Sequence, residues 1–278
     1  MTARFNLTEI QCARLLEGVI EAGRQVMAIY EREFDVSIKA DDSPVTEADM
    51  AAHHALVALL NDTCPEVPIL SEEDADIAFE TRRAWARYFL IDPLDGTKEF
   101  ISKNGEFTLN VALIEDGEPV FGIVHAPVLE TSWWGSTEGG AFKRVGKGDT
   151  KPIRVRELPT PESETPWQIV ASRRHGGEVL EALCQRLPAH ERVSMGSSIK
   201  LCLVAEGLAD LYPRFAPTSE WDTAAAHAVV RAAGGDVLEA KTRSPLAYNQ
   251  KAELLNPWFI VFGQRDARWL EAVPVALD

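Results

Sequence analysis

Apolar residues recur at helical spacing from about Leu7 to Arg32, where Ile10, Ala13, Leu16, Ile20, Val26 and Ile29 have charges between them. This pattern predicts an amphipathic first helix. A second helix is expected from Glu47 to Leu60, because Thr46-x-x-Asp49 has the form of a capping box and Pro44 precedes it. "VPIL" then reads as a short buried strand running into Ser71-Glu72-Glu73, and "YFLID" repeats the pattern, a strand that ends in acids. "FTLNVALIEDGEPVFGIVHAPV" reads as two long strands around Glu115-Asp116-Gly117-Glu118, since Asp-Gly between apolar runs signals a hairpin. "TSWWGS" and "GAFKRV" continue the same meander.

The rhythm changes after residues 157 to 167, "ELPTPESETPW", where Pro159, Pro161 and Pro166 mark a linker. Beyond it, "WQIVAS" predicts a strand, "EVLEALCQRL" and "SIKLCLVAEG" helices, and "ADLYP" a strand. "DTAAAHAVVRAAGG" predicts a helix closed by Gly234-Gly235, and "WFIVFG" the last strand. The expected fold is an α/β (α+β) layered sandwich, antiparallel-rich over 1–156 and alternating α/β over 168–278.

Composition narrows the class. At 46% hydrophobic and 26% charged, the 278 residues can bury a sizeable core as one large domain or two smaller ones. No segment has the uncharged apolar length that spans a bilayer, and Thr8, Glu9, Gln11, Arg14 and Glu17 interrupt any leader-like run. The expected compartment is the cytosol, with peripheral attachment at the inner face of the cell membrane an open alternative. Cys12, Cys64, Cys184 and Cys202 are scattered, so buried thiols are expected rather than a disulfide framework or a zinc knuckle. A net charge of −15 repels polymeric nucleic acid and anionic membrane. A small anionic substrate requires cations gathered in one site.

The acids at the strand ends suggest where. Glu72, Glu73, Asp92 and Asp95 end two predicted strands, and Asp222, in "EWDTAAAH", stands at the start of a predicted helix. If Glu72, Asp92, Asp95 and Asp222 converge, each pair about 4 Å apart repels by roughly 4 kcal/mol at an effective dielectric near 20. Either some acids hold protons, as in a glycosidase pair, or divalent cations bind. Oxygen donors without histidine or cysteine suit Mg²⁺, which also makes an acidic protein locally attractive to phosphate. Gly96 allows close backbone approach, Thr97 adds a hydroxyl, and Leu94 lies between the acids with its carbonyl as the available donor. Metal-dependent hydrolysis of a phosphate ester is the chemistry that needs this assembly.

Each residue also has a plainer role. Asp222 can be a helix N-cap, Asp49 the far end of a capping box, Asp92-Pro93 a turn starter, and Lys200 a solvated helix residue. His227 on its Ala-rich helix reads as packed or surface. Other motifs fail: Pro93 stands where a D-x-D-G-T phosphatase needs its nucleophile, and Lys147 is followed by Gly148 rather than the hydroxyl of a phosphate loop. The argument rests on order and spacing together.

"DPLDGTKEF", with "SEE" upstream and "WDTAAAHAVVRAAGG" downstream, resembles the inositol monophosphatase superfamily of Mg²⁺-dependent, lithium-sensitive phosphatases. More narrowly, "KADDSPVTEAD", "VPILSEED", "NGEFTLNVALI", "GSSIKLCLVAEGLADLYPRF" and "EWDTAAAH" resemble its bacterial 3′(2′),5′-bisphosphate nucleotidases, over almost the whole chain. The resemblance implies a sugar-phosphatase-like fold and two or three Mg²⁺ ions held by Glu72, Asp92, the Leu94 carbonyl, Asp95 and Asp222. It implies that Asp49 and Thr97 activate water, with Glu72 also among the catalytic groups, and that Asp95, Gly96 and Thr97 cradle phosphate. Ser172, His175, Gly196, Lys200 and Asp222 would meet the nucleotide. The implied reaction removes the 3′-phosphate of adenosine 3′,5′-bisphosphate, and of its sulfated analogue, in sulfur assimilation. The rivals are an inositol-phosphate or sugar-phosphate phosphatase and, from another class, a non-catalytic nucleotide or metal sensor. Oligomeric state is not specified by the sequence.

Overall fold

The computed structural model describes residues 7–38, 44–171 and 177–274. Its first helix, α1 (Glu9–Tyr30), begins at a capping box in which Thr8 and Gln11 satisfy each other's backbone N–H groups. Two short antiparallel strands follow, β1 (Val36–Ile38) and β2 (Pro44–Thr46), and then α2 (Glu47–Thr63), which starts at the expected Thr46/Asp49 box. The next elements are β3 (Ile69–Ser71), α3 (Phe79–Arg82), β4 (Arg87–Asp95) and α4 (Thr97–Ile101). The meander comprises β5 (Thr108–Glu115), β6 (Glu118–Ala126), β7 (Thr131–Ser136), β8 (Gly140–Val145) and β9 (Lys151–Ile153). The β5–β6 turn is the expected two-residue one, with Asp116 at φ 52° and Gly117 at φ 81°.

After β9 the chain forms no helix or strand until β10 (Trp167–Ala171), although Leu158 is buried and its N–H donates to Gln264 at 3.0 Å. Then come α5 (Gly177–Cys184), β11 (His190–Ser194), α6 (Ile199–Ala205) and β12 (Leu211–Arg214). A 3-10 turn at Glu220–Asp222 leads into α7 (Ala224–Ala232), β13 (Asp236–Glu239), β14 (Phe259–Phe262) and α8 (Ala267–Ala272).

The strands make two main sheets. The first runs β3-β4-β5-β6-β7-β8-β9, antiparallel except for the β3–β4 pair. The second runs β11-β10-β12-β14-β13, with β10 parallel to both neighbours and β14 antiparallel to both of its own. Successive β4 residues explain the layering: Phe89 and Ile91 pack with Leu15, Val19, Ala52 and Leu56 of α1 and α2. Tyr88 and Leu90 point the other way, into a core shared with Val204 of α6, Val229 of α7, and Tyr212 and Val261 of the second sheet. The outer face of that sheet packs Ile169 and Ile260 against Leu180, Leu183 and Trp269 of α5 and α8.

The order of layers is therefore helix, sheet, helix, sheet, helix, the layered sandwich the sequence predicts. A strand covered on both faces reads as a continuous apolar run, which is why "YFLI" does not alternate. In the two main sheets three edge strands, β9, β11 and β13, escape the sequence reading, because all are short and β11 is mostly solvent-facing. All four cysteines are unpaired, as expected, and no helix of the described residues is long and apolar enough to cross a membrane.

Candidate active site

β4 does not stop at its apolar run. It continues through Asp92-Pro93-Leu94-Asp95 with a register shift against β5 between Asp92, opposite Asn110, and Asp95, opposite Thr108. Pro93 has no N–H for the ladder, so the strand must break pairing there, and the irregularity re-aims both acids. The Leu94 N–H donates to Asp92 Oδ1 at 3.0 Å. Gly96, at φ 97°, then turns the chain into α4, where a Cβ would meet the Glu106 carbonyl at 3.2 Å.

The third acid arrives from the other end of the chain. Asp222 ends the 3-10 turn and accepts the Ser219 N–H at 2.9 Å on Oδ2, the Ser219 hydroxyl completing a capping box. It is not the N-cap of α7, a position held by Thr223. Carboxylate oxygens of Asp92, Asp95 and Asp222 all lie within 4.8 Å of one another. Glu72 joins through Asp92: its N–H donates to the Ile91 carbonyl at 3.1 Å, and its carboxyl shares a hydrogen bond with Asp92.

Burial, then the charges of Glu72, Asp95 and Asp222, raise the Asp92 pKa well above the usual carboxylate range. Burial and then Asp95 raise Asp222 in the same way. Two such charges at this separation repel by roughly 3 kcal/mol at an effective dielectric near 20. The donor set is all oxygen, acidic and convergent, and it fits a hard divalent cation.

Asp49 and Thr97 also meet. Asp49 is 1% exposed, and its Oδ2 accepts the Thr46 N–H at 2.7 Å and the Thr46 hydroxyl at 2.6 Å. Its Oδ1 accepts the Thr97 hydroxyl at 3.2 Å, while the Leu94 carbonyl is a longer alternative acceptor at 3.4 Å. One carboxylate thus closes a capping box and holds a hydroxyl at the edge of the acid cluster. Burial raises the Asp49 pKa, against the Thr46 hydrogen bonds, which lower it.

Beside the acids a cleft of about 260 Å³ is lined by Asp95, Gly96, Gly196, Lys200, Arg214 and Asp222. At Gly196 a Cβ would stand 2.7 Å from the Glu106 carbonyl, so only glycine allows this approach of the second half to the first. Lys200 is half-buried with its ammonium 5.7 Å from the Tyr212 ring centre, and desolvation lowers its pKa. The plain alternative of a solvated lysine does not describe it. Ser172 and His175 lie outside the described residues. His227 is packed, as expected, between Asp236 and Tyr248 at 2.9 Å each.

Two residues of the site, Arg214 in the cleft wall and Ser198 behind Asp95, escape the sequence reading. Arg214 ends β12 and donates to the Ala216 and Pro217 carbonyls at 3.2 and 3.0 Å, leaving its charge unpaired with any acid among the described residues. A lone cation after a strand was its only signal. Ser198 is fully buried and donates its N–H and hydroxyl to Asp95 Oδ2 at 2.6 and 2.7 Å. Nothing in "MGSSIK" distinguishes it from Ser197.

Residues 8–269 match the model of the inositol monophosphatase family. The chain is 48% identical over 242 residues, 86% of its length and 94% of the relative's, to the 3′(2′),5′-bisphosphate nucleotidase CysQ of Salmonella typhimurium. It is 34% identical over 266 residues, 95% of its length and 97% of the relative's, to that of Haemophilus influenzae. The crystal structure of CysQ from Bacteroides thetaiotaomicron, at 40% identity, superposes with a TM-score of 0.79 over 93% of this chain and 98% of that one.

Proposed function

The chain belongs to the inositol monophosphatase family, and on that premise we propose that it hydrolyses adenosine 3′,5′-bisphosphate to AMP and phosphate with Mg²⁺. It is a 3′(2′),5′-bisphosphate nucleotidase, a phosphatase. The observation that carries the substrate is the joining of three aspartates to a cleft whose wall holds three cations, Lys98, Lys200 and Arg214. A nucleotide with two phosphates places the cleaved one at the acids and the retained one at the cations. An inositol monophosphate has no second phosphate for Lys200 and Arg214 to engage.

Two or three Mg²⁺ ions on Glu72, Asp92, the Leu94 carbonyl, Asp95 and Asp222 would neutralise the acids and lower the pKa of bound water. With its proton turned to Asp49 Oδ1, Thr97 Oγ1 offers lone pairs to the attacking water, orients it and takes its proton while passing its own to Asp49 Oδ1. Gly96 lets the backbone approach the phosphoryl oxygens beside Asp95 and Thr97. Lys200, Gly196 and Arg214 hold the retained phosphate, and Ser172 and His175 serve the nucleoside. Residues 1–156 then carry most of the metal site, 168–278 select the substrate, and 157–167 links them, with Asp222 crossing from one to the other. Action on the sulfated analogue, lithium sensitivity, a cytosolic location and a place in sulfur assimilation complete the reading.

The test is phosphate release from adenosine 3′,5′-bisphosphate and from inositol monophosphate under identical Mg²⁺. A clear preference for the nucleotide is expected, and equal or reversed preference overturns the assignment. Asp92→Asn is expected to abolish release without unfolding the protein. A sensor that only binds nucleotide would show no release even in the unaltered protein.

A further inference from the structure

Lys103 lies outside the cleft, yet its conformation is unusual for a lysine. Its φ of 57° falls in the left-handed region, at the end of α4, where its N–H donates to the Phe100 carbonyl at 3.1 Å and the Asn104 N–H to that of Glu99 at 3.2 Å. Helices that close this way usually place glycine at that position. A strained backbone conformation persists only where the surroundings impose it.

The side chain supplies the imposition. The Lys103 ammonium stands 4.2 Å from the Tyr30 ring centre, 4.7 Å from that of Phe34 and 6.0 Å from that of Phe100. It also donates to the Tyr30 carbonyl, at the last residue of α1, whose final turn carries no basic residue of its own. A cation is favoured both over aromatic faces and at the negative end of a helix dipole. The rings it covers are the ones that dock α4: Phe100 is fully buried and lies 5.0 Å from Tyr30, 4.8 Å from Phe34 and 5.1 Å from Phe107.

At five residues α4 is too short to persist on its own hydrogen bonds. Its C-terminal end is held by Lys103, and its first residue is Thr97, one turn before Phe100. We infer that Lys103 is a positioning residue: by clamping α4 onto the end of α1 it keeps the Thr97 hydroxyl in reach of Asp49. The inference rests on the reading of Thr97 as the residue that orients water.

Steady-state kinetics of Lys103→Gly test it, because glycine relieves the backbone while removing the ammonium. The expected result is a thermal midpoint no lower than that of the unaltered protein, kcat reduced about tenfold and KM within twofold. Lys103→Arg, which keeps a cation over the rings, is expected to recover most of kcat. A kcat within twofold in the glycine variant, or equal losses with glycine and arginine, overturns the inference. Lys103→Met keeps the stem and removes only the charge, so it answers the same question should the glycine variant fold poorly. In a Thr97→Ala background the Lys103→Gly loss is expected to vanish, and a persistent tenfold loss overturns action through Thr97. If Thr97→Ala alone leaves kcat unchanged, the reading of Thr97 fails instead.

Discussion

Ser198 presents both its N–H and its hydroxyl to a single oxygen of Asp95, at 2.6 and 2.7 Å. The same hydroxyl lies 2.6 Å from the Asp222 carbonyl and accepts the Asn110 amide at 2.9 Å. One buried side chain therefore meets the end of β4, the 3-10 turn and β5, and so fixes the separation of two acids that repel each other. The hydroxyl has one proton, so Asp95 Oδ2 and the Asp222 carbonyl compete for it, and the backbone N–H of Ser198 secures Asp95 in either case.

Ser198→Ala removes the acceptor for Asn110 and one of two donors to Asp95. Leaving a buried amide without a partner costs about 1–3 kcal/mol, measurable as a shift in the urea midpoint at unchanged slope. Groups that orient metal ligands typically contribute about 10–100-fold in affinity, so Mg²⁺ should bind the variant correspondingly more weakly. A Mg²⁺ titration that overlays that of the unaltered protein would remove Ser198 from the site.

Thr97 shares Asp49 with a capping box, and the two demands use different oxygens. Thr97→Ala is expected to slow the chemical step by about 100-fold or more, the usual range for a lost proton-transfer group. Substrate affinity should change only a few-fold, and Thr97→Ser, which keeps the hydroxyl, should retain most of the rate. Single-turnover kinetics separate the two effects. A variant that only binds more weakly would place Thr97 in the phosphate cradle.

The parts of this site legible in the sequence are those with a periodic or punctuating signature. Asp92 and Asp95 announce themselves because an apolar run drives into Pro93, and Thr46-x-x-Asp49 marks both a helix start and, through its second oxygen, the Thr97 contact. Asp222 could be placed near a helix start, but not distinguished from an N-cap. Ser198 could not be seen, because its bond to Asp95 spans 103 residues and a buried serine has no pattern of its own. Arg214 was hidden for a related reason, since its meaning comes from the acids it lacks as partners. The shared middle layer was equally invisible, because helix periodicity says which face is buried and not which sheet covers it.

His125 gives the fold a pH dependence independent of the metal site. It lies on β6, 5% exposed, with Nδ1 2.9 Å from the Ser132 hydroxyl and its ring against Gly23 of α1, where a Cβ would stand 2.6 Å away. Burial first, and then Arg24 on α1 and Arg144 on β8, push its pKa down to about 4, against a Thr131 backbone hydrogen bond that raises it. An unfolded histidine titrates near 6.5. Between those values the unfolded chain binds the extra proton, so this contribution is fully present above about pH 6.5 and is lost as pH falls through the folded value. The loss by pH 4 amounts to about 3 kcal/mol. Carboxylates titrate over part of the same range, so the measurement is the difference between the unaltered protein and His125→Gln in urea unfolding at pH 7.5, 6 and 5. The histidine protein is expected to lose stability faster on acidification, with the gap opening below about pH 6.5. Parallel curves would mean that His125 keeps an ordinary pKa in the folded protein, and that the α1–β6 contact opens to admit its proton.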